Sequence, residues 1–127
     1  MLVNSNIIEE LCKDAGEQRT QKANQYKSQG KVQLTKVTYE DKNNFEVHAN
    51  VNGTESYKTY VEVKNGEIET IDCSCPDYYN TYGVCKHSLA TLLTFNETGM
   101  EYVDNQKLQT NIINQSKKTS KYNSFNQ

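Results

Sequence analysis

The sequence contains no tryptophan, a single proline and no long apolar run. A membrane-spanning helix needs roughly 18 to 20 apolar residues, so we expect no membrane span. The opening residues also lack the charged and apolar segments of a secretory signal, and we therefore expect a cytoplasmic protein. A mean hydropathy of −0.88 and an apolar fraction of 35% are low for 127 residues, which predicts a small core with polar ends.

A strong net charge of either sign is also absent, because the formal net charge is −2. Residues 32–72 carry eight acidic residues against four lysines, and the two flanking segments are close to neutral. This balance excludes a global positive field that would attract a polyanion. Any contact with nucleic acid must therefore come from a local patch.

The four cysteines are distributed unevenly. Cys73, Cys75 and Cys85 lie within thirteen residues, next to His87, while Cys12 stands far upstream. Paired disulfides would need an oxidising compartment, whereas a compact Cys/His cluster is typical of a metal site. We expect Cys12 to be a small buried residue on a helix face.

The cluster forms two ligand pairs, Cys73/Cys75 and Cys85/His87, with nine residues between them. Three thiolates and one imidazole are ligands that zinc prefers in a tetrahedron, and four protein ligands leave no open position. The pattern therefore predicts one structural Zn²⁺ and no catalytic metal. Two alternatives stay open: chance clustering of small buried residues, and a redox dithiol at Cys73 and Cys75, which would need a lowered thiol pKa.

The remaining sequence predicts an α+β fold. Apolar spacings of three and four predict a helical region over residues 4–29, divided at Gly16 and ended by Gly30. Alternating residues over 31–72 predict an antiparallel β-meander of three to four strands.

Local signals refine that meander and its continuation. A phase shift after Leu34 indicates a bulge. Asn52-Gly53 predicts a type I′ hairpin turn. A zinc knuckle and a short helix that ends before Gly99 are expected over residues 73–97. We thus expect one domain over 1–99, and a polar linker or tail over 100–127 that leads to a larger protein.

The cluster and its neighbours resemble the SWIM zinc-finger family, whose pattern is C-x-C followed by C-x-H. The family's sequence pattern is also similar to two longer segments of this chain, Cys75-Pro76 and Cys85-Lys86-His87-Ser88-Leu89-Ala90-Thr91-Leu92-Leu93. Upstream, Gly30-Lys31-Val32 and the residues Ala49, Val51, Gly53, Thr54 and Tyr57 are similar to the version at the N-terminus of bacterial Swi/Snf-type helicase-like ATPases. The resemblance covers roughly residues 17–95.

The resemblance implies a DNA-binding or protein-interaction module that accompanies a downstream ATPase. These 127 residues contain no P-loop, because their only Gly-Lys pair, Gly30-Lys31, is followed by Val32. No Ser-His-Asp set or paired-carboxylate site can be assembled either. We therefore expect no enzymatic activity, no small-molecule substrate and a monomer.

Four residues around the ligands are candidates for contact with DNA or a protein partner. Tyr78, Tyr79 and Tyr82 lie between the ligand pairs, where they could stack on bases, anchor an interface or pack over the zinc site. Lys86 lies between two ligands, where it could touch phosphate or offset the charge of the thiolates. His48 is interpreted as a solvated residue on the polar strand face.

Two functions stay open. A nucleic-acid-binding module would bind in a salt-dependent way. A protein-interaction or intramolecular docking module would suit the acidic middle segment.

Overall fold

The computed structural model describes residues 2–76 and 84–119, with side chains described as far as Val103. Within these ranges it contains three helices and one four-stranded antiparallel sheet, which confirms the α+β class. The elements in chain order are α1 (Ser5–Ala15), α2 (Glu17–Ser28), β1 (Val32–Asp41), β2 (Asn44–Asn52), β3 (Ser56–Lys64), β4 (Glu67–Cys73) and α3 (Lys86–Thr119).

The N-terminal helical region is divided as predicted. Asn4 caps α1, since its side chain accepts a hydrogen bond of 2.9 Å from the Asn6 backbone N–H. Gly16 separates α1 from α2 with a φ of +89°, and Gly30 follows α2 with a φ of +68°. Both values lie in the region that favours glycine.

The sheet is a simple meander with the order β1-β2-β3-β4. The predicted bulge is confirmed, because the pairing of β1 with β2 shifts register between Leu34 and Lys36. Along β2, the residues that alternate toward the helices are buried, and those between them are half-buried. The buried set is Phe45, Val47, Ala49 and Val51.

The type I′ turn lies at a different Asn-Gly pair from the one predicted. Asn65 and Gly66 have φ values of 54° and 78°, and they join the paired residues Lys64 and Glu67. Asn52-Gly53 instead opens a longer loop, in which the Gly53 N–H donates to the Glu55 carbonyl.

A close approach to α2 accounts for the glycine at position 53. A Cβ at Gly53 would lie 3.2 Å from the hydroxyl oxygen of Tyr26. This contact between distant parts of the chain cannot be read from the turn sequence.

Helix α3 packs against α2 and lies over one face of the sheet. Its Phe95 is fully buried, with ring centroids 5.3 Å from Phe45 and 5.8 Å from Tyr39. The Tyr39 hydroxyl donates to the Leu2 carbonyl at 2.8 Å, so the chain start is tied to the same aromatic group. The core thus joins all three helices to the sheet.

The prediction that the last helix ends before Gly99 was wrong, because α3 runs on to Thr119. A Cβ at Gly99 would clash with Phe95 Cδ1 and would lie 2.9 Å from Leu2 Cδ1. Glycine serves close packing here and does not end the helix.

Residues 100–119 are correspondingly helical and not an irregular tail, while residues 120–127 lie outside the described residues. A link to a larger protein stays a prediction. None of the helices in the described ranges has the length and apolar character required to cross a bilayer.

Candidate metal centre

The four predicted ligands come from two chain segments that meet at one end of the sheet. Cys73 is the last residue of β4, and Cys75 follows it by two positions. Cys85 directly precedes α3, and His87 lies in the first turn of that helix. The fold therefore brings both ligand pairs to a single point.

The distances between ligand atoms fit one tetrahedral ion. One ligand atom from each residue lies within 4.8 Å of all the others. Nδ1 of His87 is 3.8 Å from the Cys73 sulfur and 4.0 Å from the Cys85 sulfur. Zn–S and Zn–N bonds of normal length give a tetrahedral S···N edge of about 3.6 Å, so these two S···N distances need only a small contraction.

The ligands are withdrawn from water. Cys73 is 6% exposed, Cys75 2%, Cys85 0% and His87 3%. Several ionised sulfurs in such a place would be costly without a compensating cation, and a divalent ion supplies it. The burial also disfavours the redox alternative, since thiol exchange needs access to a partner.

Further polar contacts orient the sulfurs. The Ser88 backbone N–H donates to the Cys85 sulfur at 3.4 Å, and the Ser88 hydroxyl lies 3.4 Å from the same atom. Hydrogen bonds of this kind orient ligands around a metal.

Contacts among the ligands shift the pKa values of two thiols in opposite directions. Hydrogen bonds from Cys73, then from His87 and Ser88, lower the pKa of Cys85 despite its burial. The hydrogen bond to Cys85, together with burial, raises the pKa of the Cys73 thiol. These contacts favour a thiolate at Cys85, and a bound cation would favour the thiolate form of all three cysteines.

Two tyrosines that were not among the predicted site residues lie against the histidine ligand. The Tyr57 ring centroid lies 4.6 Å from that of His87, and the Tyr26 ring centroid lies 5.4 Å away. Tyr57 also packs against the three cysteines. Its position in the alternation of β3, on the same face as Cys73 at the end of β4, is the signal that could have indicated this role.

The other candidate residues have mixed outcomes. Tyr78, Tyr79 and Tyr82 lie outside the described residues. Lys86 is half-buried at the start of α3, on a groove with residues of α2. Cys12 is only half-buried and packs against the edge of the core, so its predicted burial holds in part. His48 is half-buried, and its ring centroid lies 4.5 Å from that of Tyr60, so it is not simply solvated.

Fold and site together define an α+β domain with a closed Cys₃His centre for one zinc ion. Residues 57–96 match the family model described as SWIM zinc finger. The match covers β3 from Tyr57 onward, β4, all four ligands and the start of α3, and it leaves more than half of the chain outside it. Neither a curated protein nor a solved structure matches the chain significantly.

Proposed function

We propose that this chain is a zinc-stabilised accessory module that binds DNA and forms the N-terminal part of a bacterial Swi/Snf-type ATPase. The observation that carries DNA binding is a groove beside the zinc centre, lined by Arg19, Lys22 and Lys86. The short upstream similarities at residues 30–32 and 49–57 support the link to such ATPases. The motor itself would lie outside these 127 residues.

The zinc ion has a structural role in this proposal. Four protein ligands fill its coordination sphere, so no position is left for water or substrate. The proposal assigns no catalytic step to this chain. It includes a reducing compartment, the cytoplasm, because the ligands must stay thiols for zinc to bind.

Salt-dependent DNA binding tests this function. The zinc-loaded chain would be titrated into fluorescently labelled duplex and single-stranded DNA, and anisotropy would be read at about 50 and about 200 mM salt. Three phosphate contacts predict an affinity loss of about 40-fold between these conditions, through counterion release. No binding to either DNA at the lower salt would rule the proposal out.

Protein docking is the second candidate, and the outer face of the sheet favours it. Glu46, Glu62 and Asp72 project from that face, and His48 and Tyr60 stack at its centre. Lys36, Lys58 and Lys64 lie on the same face, and Lys64 pairs with Glu62. A face of mixed charge with aromatic rings at its centre suits a protein partner better than a polyanion. Under this reading the zinc-loaded chain would bind an isolated ATPase core from the same protein and would not retard DNA.

A further inference from the structure

A polar groove separates α2 from the first residue of α3. Its volume is about 510 Å³. Among the lining residues that the structure describes, three carry a positive charge, three are amides and none is acidic. They are Gln18, Arg19, Gln21, Lys22, Gln25 and Lys86.

The positively charged residues of the groove come from two parts of the chain that are far apart in sequence. Arg19 and Lys22 are three residues apart on α2, so they lie on neighbouring turns of one face. The Arg19 guanidinium also donates to the Ala15 carbonyl, at 3.4 Å, which holds it along the helix. Lys86 faces them from α3, where the metal ligands Cys85 and His87 fix its backbone on both sides.

Several lysines outside the groove lie close to carboxylates. Lys27, further along α2, forms an ion pair with Glu97. The outer face of the sheet, on the side away from the helices, presents Glu46 and Glu62 directly opposite each other. A chain with a net charge of −2 therefore has a local cationic surface in its helical layer.

The chemistry of the described lining suits a phosphate backbone better than other ligands. Small-molecule sites are mostly apolar, and protein interfaces depend on aromatic anchors, but these six residues include neither kind. Lysine, arginine and glutamine are the side chains that donate to phosphate and sugar oxygens of nucleic acids.

We propose that this groove is the DNA-contacting surface of the chain, with Lys22 and Lys86 binding backbone phosphates from its two walls. The inference rests on the DNA binding proposed above and assigns that binding to one surface. It predicts contact through the helical layer and not through the sheet.

Matched charge removals test the assignment on the full zinc-loaded chain. Lys22→Gln and Lys86→Gln would each be compared with Lys36→Gln, an exposed lysine on the outer face of the sheet. Each groove variant is expected to bind labelled duplex DNA about five- to tenfold more weakly at about 0.1 M salt, and the slope of log K against log salt should fall by about 0.9. Lys36→Gln makes the same change in net charge and should alter the affinity by less than about twofold.

The outcomes separate this inference from the function on which it rests. If the wild-type chain binds DNA and both groove variants match Lys36→Gln, the groove assignment is overturned and DNA binding stands. If the wild-type chain binds no duplex at low salt, both proposals fail. Zinc content is measured in every variant, and Lys22→Gln decides the test if Lys86→Gln loses metal.

Discussion

Two buried hydroxyl groups connect the sheet to α3 next to the metal centre. The Thr59 and Thr91 oxygens lie 2.6 Å apart. Thr91 also donates to the His87 carbonyl at 3.0 Å, and the Thr59 oxygen lies 3.3 Å from the Ala49 carbonyl. Two threonines thus hold the helix turn that bears the histidine ligand against β2 and β3.

This arrangement predicts that substitutions of Thr59 and Thr91 have non-additive effects on the free energy of unfolding. Thr91→Val alone leaves the Thr59 hydroxyl with fewer partners in a buried place, and should lower the free energy of unfolding by about 1–3 kcal/mol. Replacing both by valine removes the polar groups together, and should cost less than the sum of the single changes. Chemical denaturation of the four proteins in the cycle measures the coupling. Additive losses would mean that the two hydroxyls act independently.

The surroundings of Tyr60 on the outer face of the sheet shift the pKa of its phenol. Burial first, and then the carboxylates of Glu46 and Glu62, raise its pKa to about 12. The fold therefore favours the neutral phenol. This contribution to stability is complete below the unfolded pKa of about 10 and is lost as the pH rises toward 12.

Site-resolved NMR of labelled tyrosine rings would measure this shift. The Tyr60 signal should titrate at a higher pH than that of an ordinary tyrosine. Glu46→Gln should lower the Tyr60 pKa, because it removes a nearby negative charge and replaces the carboxylate that accepts the Tyr60 hydrogen bond. Glu55→Gln, a change of the same charge in the β2–β3 loop, is the control. An unchanged Tyr60 pKa in Glu46→Gln would contradict the assigned cause.

At the scale of elements, Gly99 shows how packing can override a local signal. The residue lies inside α3, where alanine would gain about 1 kcal/mol in helix propensity over glycine. The added Cβ, however, would lie within 3 Å of carbon atoms in Phe95 and Leu2. Overpacking of this kind costs about 1–3 kcal/mol, so we expect Gly99→Ala to be net destabilising.

Thermal melts can separate these two opposing effects. Gln21→Ala, at an exposed position within α2, is the comparison that tests helix propensity on a side chain facing solvent. Shortening the contact side chain in a Gly99→Ala/Leu2→Ala double variant should make the added methyl group less costly. A more stable Gly99→Ala protein would indicate that Leu2 and Phe95 move aside without loss.

Elements with local causes were predicted well from the sequence. Gly16 separates α1 from α2 and Gly30 follows α2, and each adopts a positive φ that favours glycine. The bulge after Leu34 follows from a break in the alternation of apolar residues. The metal ligands were also predictable, since zinc chemistry restricts residue type and spacing.

Features that depend on distant residues were not predictable. The Gly53 loop lies against Tyr26 of α2, and Gly99 lies against Leu2 near the chain start. The tyrosines around His87 and the groove of Lys22 and Lys86 likewise arise where elements meet. No local pattern encodes such contacts, because they exist only after the helices pack on the sheet.

At the scale of the whole molecule, burial falls into two clusters with different causes. The apolar core links the helices to the sheet, and a second cluster consists of Cys73, Cys75 and Cys85 with Tyr57 packed against it. The second cluster joins the end of β4 to the start of α3. We expect its stability to depend on a bound cation, since the cluster has little apolar surface of its own.

Removal of zinc should therefore unfold at least residues 68–95. A structural zinc ion contributes on the order of 10 kcal/mol of apparent free energy, comparable with a typical total stability of roughly 5–15 kcal/mol. Leu89, Leu92 and Phe95 are fully buried on the helix that the metal anchors, so its loss should spread from the ligands into the apolar core. Hydrogen exchange with and without chelator would detect lost protection in β4 and early α3.

A pair of cysteine variants separates metal loss from general damage. Cys75→Ser should lose the zinc equivalent and lower the Tm by at least about 15 °C, because several kcal/mol are removed from a chain of this size. Cys12→Ser changes a half-buried cysteine outside the ligand set, and should keep its zinc and shift the Tm by only about 3–5 °C. If the chelated protein and Cys75→Ser both melt like the wild type, the apolar core suffices without metal. The zinc ion would then shape the surface around Lys86 without holding the fold together.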